Sequence, residues 1–241
     1  MGLCYLNIAG VDAIMSKKTI GVAIPCYKGH LGALPHLLDS IESQTRKPDR
    51  VVISCSSTEP SDVAAALSLD SYSYPVELIL HSEKKAAAEN RNCAADHLTT
   101  DIITFIDADD IMHPQRLEVI DTCFTKYPNM KILLHHYEMD ANATLPRYEN
   151  LDCFHFNRLF RCPHGSTQHA DYAYQAIIHN GQPSVPREVF GLIRFDESPQ
   201  AYTKEDTLFC TAVISMFPYH TAYCPYKLST YVPSLTRGYL T

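Results

Sequence analysis

The chain has no excess of basic residues: 27 Asp and Glu against 20 Lys and Arg give a formal net charge of −7. Nothing in it supplies the cationic stripe that a phosphate backbone requires, which sets nucleic acid aside as a partner. It has no C-x-x-C pair either, although nine cysteines are scattered at positions 4, 26, 55, 93, 123, 153, 162, 210 and 224. Neither a zinc site nor a disulfide framework is signalled. Several of these thiols sit in apolar runs and are expected to pack as small hydrophobes. Unpaired cysteine on this scale points to a reducing compartment, the cytoplasm. Internal repeats, low-complexity tracts and apolar runs long enough to span a membrane are all missing. The mildly apolar start, residues 1–15, is interrupted by Asn7 and Asp12 and lacks a basic leader, so it is expected to be neither signal peptide nor anchor. Its Met-Gly-Leu-Cys opening has Leu6 where a myristoylation signal needs Ser or Thr. The sequon Asn142-Ala143-Thr144 is expected to be silent in a reducing compartment.

What is present is an ordinary globular composition, 46% hydrophobic and 20% charged over 241 residues, enough for one large α/β domain or two small ones. Apolar runs at residues 19–25, 50–55, 75–80, 102–106 and 131–137 read as strands, the first ended by Pro25. Between them lie helical patterns. Leu31, Leu34, Leu37, Leu38 and Ile41 recur at helical spacing, and further helices are expected near 62–69, 84–97 and 113–127, with Pro114 in the first turn of the last. Strands alternating with helices predict a single α/β domain, a mostly parallel central sheet with helices on both faces. In such sheets ligands bind beyond the carboxyl ends of the strands. Cys26-Tyr27, Cys55-Ser56 and residues 107–110 all lie at such ends.

The run Ile102-Ile103-Thr104-Phe105-Ile106 leads straight into Asp107-Ala108-Asp109-Asp110. Acids at the mouth of a strand buried on both faces repel one another and are costly without a cation. Oxygen ligands with no neighbouring His or Cys suit Mg²⁺ or Mn²⁺ holding a phosphate-bearing substrate. The alternative is a strand end with Asp110 or a neighbour capping the next helix.

The second half is less regular. Residues 140–175 have no clear period and predict a lid or binding segment; His155, His164 and His169 there match no standard zinc spacing. Order returns at 185–191. A helix is expected to open at 202–206 with Glu205 and Asp206 in its first turn, where they can also simply complement the helix dipole. One or two strands follow in 219–232.

Four stretches then carry a resemblance to family 2 glycosyltransferases of the GT-A, Rossmann-like fold. Val22-Ala23-Ile24-Pro25-Cys26-Tyr27 resembles the family's first strand and nucleotide loop, and Ala87-Ala88-Glu89-Asn90-Arg91-Asn92-Cys93-Ala94 its Ala-Arg-Asn helix. Phe105-Ile106-Asp107-Ala108-Asp109-Asp110 is similar to its Asp-x-Asp segment, and Phe195-Asp196-Glu197 with Glu205-Asp206 to its late acidic motif. The resemblance implies an inverting, metal-dependent transfer from a nucleotide-diphosphate sugar, UDP first, to an acceptor hydroxyl on a glycan, a lipid-linked carrier or a protein. It implies that Tyr27 packs on the base, that Pro25 and Cys26 line its edge, and that Arg91 reaches base or ribose. Asp107 would bind ribose and, with Ala108 between them, Asp109 would ligate Mn²⁺ or Mg²⁺. Asp107 is a further ligand, and Asp110 an alternative one or a holder of the site. Asp206 would be the base, Glu205 its partner. Without the resemblance, Tyr27 reads equally as packing and Arg91 as a solvated helix residue. The family's second strand usually ends in Asp, which accepts the uracil N3–H; Cys55 or Ser56 stands there instead. The implied division is an extension at 1–18, a nucleotide-sugar half at 19–137 and an acceptor half at 138–241. The competing readings are a nucleotide-sugar-binding protein without catalysis and a sugar-phosphate nucleotidyltransferase, the latter disfavoured because residues 25–29 lack its Gly-rich loop.

Overall fold

The computed structural model describes residues 17–156, 159–161, 167–169 and 181–232. The chain-terminal start, residues 1–15, and His164 therefore lie outside the described residues, and for His155 and His169 only the backbone is described. In order, the elements are β1 (Ile20–Tyr27), α1 (Leu34–Glu42), β2 (Arg50–Ser56), α2 (Pro60–Ala66), β3 (Val76–Leu80), α3 (Ala87–Asp96), β4 (Ile102–Phe105), β5 (Ile111–Met112), α4 (Arg116–Lys126) and β6 (Ile132–Glu138). Then come β7 (Phe154–Phe156), β8 (Leu159–Arg161), β9 (Thr167–His169), β10 (Ser184–Pro186), α5 (Arg187–Leu192), α6 (Glu205–Met216) and β11 (Thr221–Thr230).

One sheet runs in the order β3-β2-β1-β4-β10-β6-β11-β5, with β7 on β11. β1 pairs parallel with β2 and β4, β2 with β3, and β6 with β11. Three short strands depart from the parallel rule: β10 inserts antiparallel between β4 and β6, and β5 and β7 pair antiparallel with β11. Period two divides each strand between layers. Ile20, Val22 and Ile24 of β1 join Leu34, Leu37, Leu38 and Ile41 of α1 and Ile120 of α4 in one core; Ala23 faces the other, with Ala94 of α3, Phe190 of α5 and Phe209 of α6. Helices therefore cover both faces, as expected for a buried, mostly parallel sheet. No helix among the described residues is long and apolar enough to cross a membrane.

Three local expectations are corrected, and of the one or two strands expected in 219–232 the structure has one. Pro25 does not end β1, which runs on to Tyr27. Ala23 O accepts from Ile106 N at 3.3 Å, and Pro25, two residues on, turns its main chain to the same side, where the β4 ladder has already stopped at Ala23. Its missing N–H is not needed there. The fourth helix starts at Arg116 with Gln115 as N-cap, not at residue 113, because His113 N donates to Leu228 O and Met112 pairs with Ser229. Those bonds hold 111–113 extended, so neither Pro114 nor Asp110 begins the helix. α3 starts at Ala87 rather than 84, since Glu89 Oε2 accepts the Ala86 N–H at 2.7 Å and closes the end. β11 is one strand whose register shifts beyond Cys224, where Pro225 cannot donate to the ladder.

Candidate active site

Helix α3 crosses the carboxyl ends of the strands with Asn90, Arg91 and Asn92, all buried. Consecutive helical residues point about 100° apart, so three neighbours reach three elements. Asn90 Nδ2 donates to Cys26 O and to Ser56 Oγ, both at 3.1 Å, while its Oδ1 accepts from Ser54 Oγ at 2.9 Å. It fixes the ends of β1 and β2 against each other. Asn92 Nδ2 donates to Phe195 O at 2.9 Å and to Glu197 Oε1 at 2.7 Å, and Asn92 Oδ1 accepts from Phe195 N. It fixes the loop that leads into α6.

Arg91 sits between them with one hand on each acidic group. Its Nη2 donates to Asp107 Oδ1 at 2.7 Å and its Nη1 to Glu205 Oε1 at 2.5 Å. The Arg91 side chain is 5% exposed, Asp107 27% and Glu205 11%, so the cluster is largely shielded from water. Burial alone would pull the guanidinium pKa down, but Asp107, Glu205 and Asp206 outweigh it and hold the pKa above its ordinary value. Arg91 is therefore no solvated face residue: it joins the acidic loop after β4 to Glu205, which lies 114 residues beyond Arg91 in the chain.

The three aspartates after β4 have different surroundings. Asp107 carries the Arg91 contact. Asp109 is partly buried and lies 3.6 Å from His30 Nε2. Burial raises its pKa, His30 offsets part of that, and Asp107 adds to it. Asp110 is buried, accepting from Val232 N at 3.0 Å and from Gln182 Nε2. Burial, then Asp107, drives its pKa well up. Gln182 Oε1 in turn accepts from Arg116, a fully buried guanidinium whose pKa burial lowers to about 9. Asp110 thus ties the acidic loop to the residues just before β10 and just after β11.

No group of three or more His, Cys, Asp or Glu is arranged to hold a metal among the described residues. Asp109, with the Asp107 oxygen that Arg91 does not occupy, offers carboxylate oxygens whose repulsion is only partly relieved by the protein. That donor set fits a hard divalent ion completed by phosphate oxygens and water.

At the strand ends, Tyr27 is half-buried and its ring meets the His30 ring edge-on, centroids 4.3 Å apart. Cys26 and Cys55 stand side by side across the β1–β2 register, both buried. The hydrogen bond to Cys55, then burial, raises the Cys26 thiol. Cys55 Sγ lies 3.1 Å from Thr58 Oγ1, and Ser56 is committed to Asn90. Where a carboxylate would stand, the wall is neutral. At the other end, Asp206 Oδ1 accepts from Thr207 N at 2.5 Å. Burial raises the Asp206 pKa, Arg91 counters it, and Glu205 adds to it.

The structure thus brings Tyr27, Cys26, Cys55, Ser56, Arg91, Asp107, Asp109, Glu205 and Asp206 to one end of the sheet. Sequence reasoning missed Asn90, Asn92 and Gln182 as holders of the site. Two asparagines in a helix interior, where they have poor propensity, were the available signal for the first two.

Comparison with known proteins gives the same direction. A model of the family described as "Glycosyl transferase family 2" matches residues 21–167. A Haemophilus influenzae protein described as an uncharacterized glycosyltransferase is 28% identical over 116 residues, 48% of this chain and 38% of that protein. Two crystal structures of S. aureus TarS, solved with UDP and with UDP-GlcNAc, superpose with TM-scores of 0.60 and 0.61 at 14% identity. Both cover 90% of this chain, and 61% and 59% of theirs. The chain therefore spans under two thirds of the relatives it matches, and the TarS likeness is one of fold.

Proposed function

Because the chain belongs to glycosyl transferase family 2, we propose that it moves a sugar from a nucleoside-diphosphate sugar to an acceptor hydroxyl, inverting the anomeric centre. The observation that carries this reading is the placement of two carboxylate groups on either hand of Arg91, one at the β4 end and one at the α6 start. Transfer needs charge compensation at the leaving diphosphate and a base at the attacking hydroxyl. One group serves each task.

On the donor side, Tyr27 would pack on the base, Pro25 and Cys26 would line its edge, and Asp107 would meet the ribose. Asp109 and Asp107 would hold Mn²⁺ or Mg²⁺, which when bound offsets the charge of the diphosphate as it leaves. Arg91 is occupied by Asp107 and Glu205 in this structure, so its part is to orient both rather than to reach the base freely. On the acceptor side, Asp206 takes the hydroxyl proton. Its raised pKa suits a base, because proton affinity near the working pH makes a carboxylate a better acceptor. Glu205, held by Arg91, keeps the α6 start in place. The TarS complexes make uridine the first donor to try. The thiols of Cys26, Cys55, Cys93, Cys123, Cys153 and Cys224 are in no disulfide, which supports a cytoplasmic site of action.

The test is a screen of nucleotide sugars by thermal shift with and without Mn²⁺. A metal-dependent rise in Tm with at least one uridine, guanosine, cytidine or thymidine diphosphate sugar is expected. No shift with any of them would remove the donor assignment.

A further inference from the structure

A cavity of about 540 Å³ opens between the start of α3 and the loop that leads into α6. Resting on the transferase reading above, we propose that this cavity is the acceptor site, that it takes an uncharged sugar ring, and that it turns away acceptors bearing phosphate or carboxylate.

The first argument is position. Glu205 forms part of the cavity wall and accepts through Oε1 from Arg91, which also holds Asp107. A ligand touching Glu205 is therefore linked through Glu205 and Arg91 to the donor-side Asp107, and Asp206 follows Glu205 in the first turn of α6. A volume of this size falls within the roughly 300–1,000 Å³ of small-molecule pockets.

The second argument is chemistry. The methyl groups of Ala87 and Ala88 line one wall, and Tyr202, 49% exposed, lines the facing loop. An aromatic face beside small apolar groups complements the C–H faces of a pyranose. The charged side chains of the lining are all carboxylates, and the hydroxyls of Ser198, Tyr202 and Thr203 stand among them. Glu89 is fixed by Ala86 N at 2.7 Å, Asp196 by Ser198 N at 2.8 Å, Glu197 by Asn92 at 2.7 Å and Glu205 by Arg91 at 2.5 Å. Each carboxylate is oriented by a neighbouring residue and keeps lone pairs for a further donor, which is what sugar hydroxyls supply. Among the described residues, no Lys, Arg or His side chain lines the cavity. An anionic acceptor would meet carboxylates with no cation to receive it, a juxtaposition that works against the wrong partner. The neighbouring Thr203 has φ 69°, unusual for a β-branched residue, and lies in the cavity wall beside Tyr202.

The experiment is saturation-transfer NMR on the full chain with UDP and Mn²⁺. Its probes are methyl glucoside, galactoside and mannoside, the 6-phosphates of the same hexoses, and glucosamine. At least one neutral glycoside is expected to bind and its 6-phosphate to bind at least tenfold more weakly. Tyr202→Ala should weaken the neutral glycoside at least tenfold. Glu89→Gln with Asp196→Asn should narrow the gap between neutral and phosphorylated probes at least tenfold. Melting curves check that the variants fold: Tyr202 and Asp196 are exposed, and Glu89→Gln keeps a side-chain oxygen for the Ala86 N–H. Equal binding of phosphates, no effect of Tyr202→Ala, an unchanged gap in the double variant, or glucosamine binding far above the neutral sugars would each overturn the proposal. UDP binding without any glycoside binding overturns the cavity assignment and leaves the donor reading intact. Glycoside binding without UDP binding does the reverse.

Discussion

Arg91→Met is the most informative single change. Methionine keeps most of the length and apolar volume of the arginine stem but removes the charge and both forked contacts. Asp107 and Glu205, 27% and 11% exposed, then face each other and Asp206 with no cation between them. Removing one partner of a buried ion pair costs about 3–5 kcal/mol, because the other charge is left uncompensated. At roughly 2–4 °C per kcal/mol for a chain of this size, Tm should fall by about 6–20 °C. The sign with pH follows from the same picture. Stranded carboxylates repel least when protonated, so the deficit relative to wild type should narrow as pH is lowered from 7 toward 5 and widen as it is raised. Thermal melts of the two proteins across that range measure it. A deficit that is large but independent of pH would mean that Arg91 contributes packing over Phe195, 5.4 Å from the guanidinium, rather than charge. A deficit below about 1 kcal/mol would refute the bridging role altogether.

Three further outcomes are expected. Asp109 has a folded-state pKa raised by burial, so the folded state binds the extra proton: its contribution favours folding below the unfolded carboxylate pKa and is lost as pH rises through the folded value. Asp109→Asn should therefore raise the Tm of the ligand-free protein at pH 7 while removing metal-dependent nucleotide binding; lower stability would contradict the repulsion argument. Asp206→Asn should lower kcat by roughly 10²–10⁴ with little change in donor KM, and the wild-type rate should climb with pH through a pKa above the usual aspartate range; Glu205→Gln slowing transfer while Asp206→Asn does not would exchange their roles. The neutral wall at Cys55 and Ser56 should give weak selection among UDP, GDP, CDP and TDP in competition, since sharp discrimination needs a buried polar group that the wrong base leaves unpaired; strong preference for UDP would show another group in that place.

The first half of the molecule was legible because its contacts are local in pattern. The period of Leu34, Leu37, Leu38 and Ile41 and the unbroken run of β4 declare their burial without reference to distant residues. The acidic cluster was legible from cost alone. What could not be read was whatever depends on distant pairing. The strand β10 is three residues long, and its place beside β4 rests on bonds such as Ser184 Oγ to Thr104 Oγ1 across 80 residues. Likewise, nothing in the run of Ala and Asn around Arg91 announces Glu205 as its partner. Asp110 read as a ligand, a helix cap or a holder of the site; its bonds to Gln182 and Val232, distant in the chain, fit the holder.

The central claim is that the acids on either hand of Arg91 carry out transfer from a nucleotide sugar. The most direct measurement is release of free nucleoside diphosphate from a panel of nucleotide sugars, with Mn²⁺ and neutral glycoside acceptors present, for wild type, Asp109→Ala and Asp206→Asn side by side. The account predicts metal-dependent release by wild type, none by Asp109→Ala, and release slowed at least a hundredfold by Asp206→Asn at unchanged donor binding. Tight nucleotide-sugar binding by all three proteins with no diphosphate released by any would contradict it and leave a binding protein in its place.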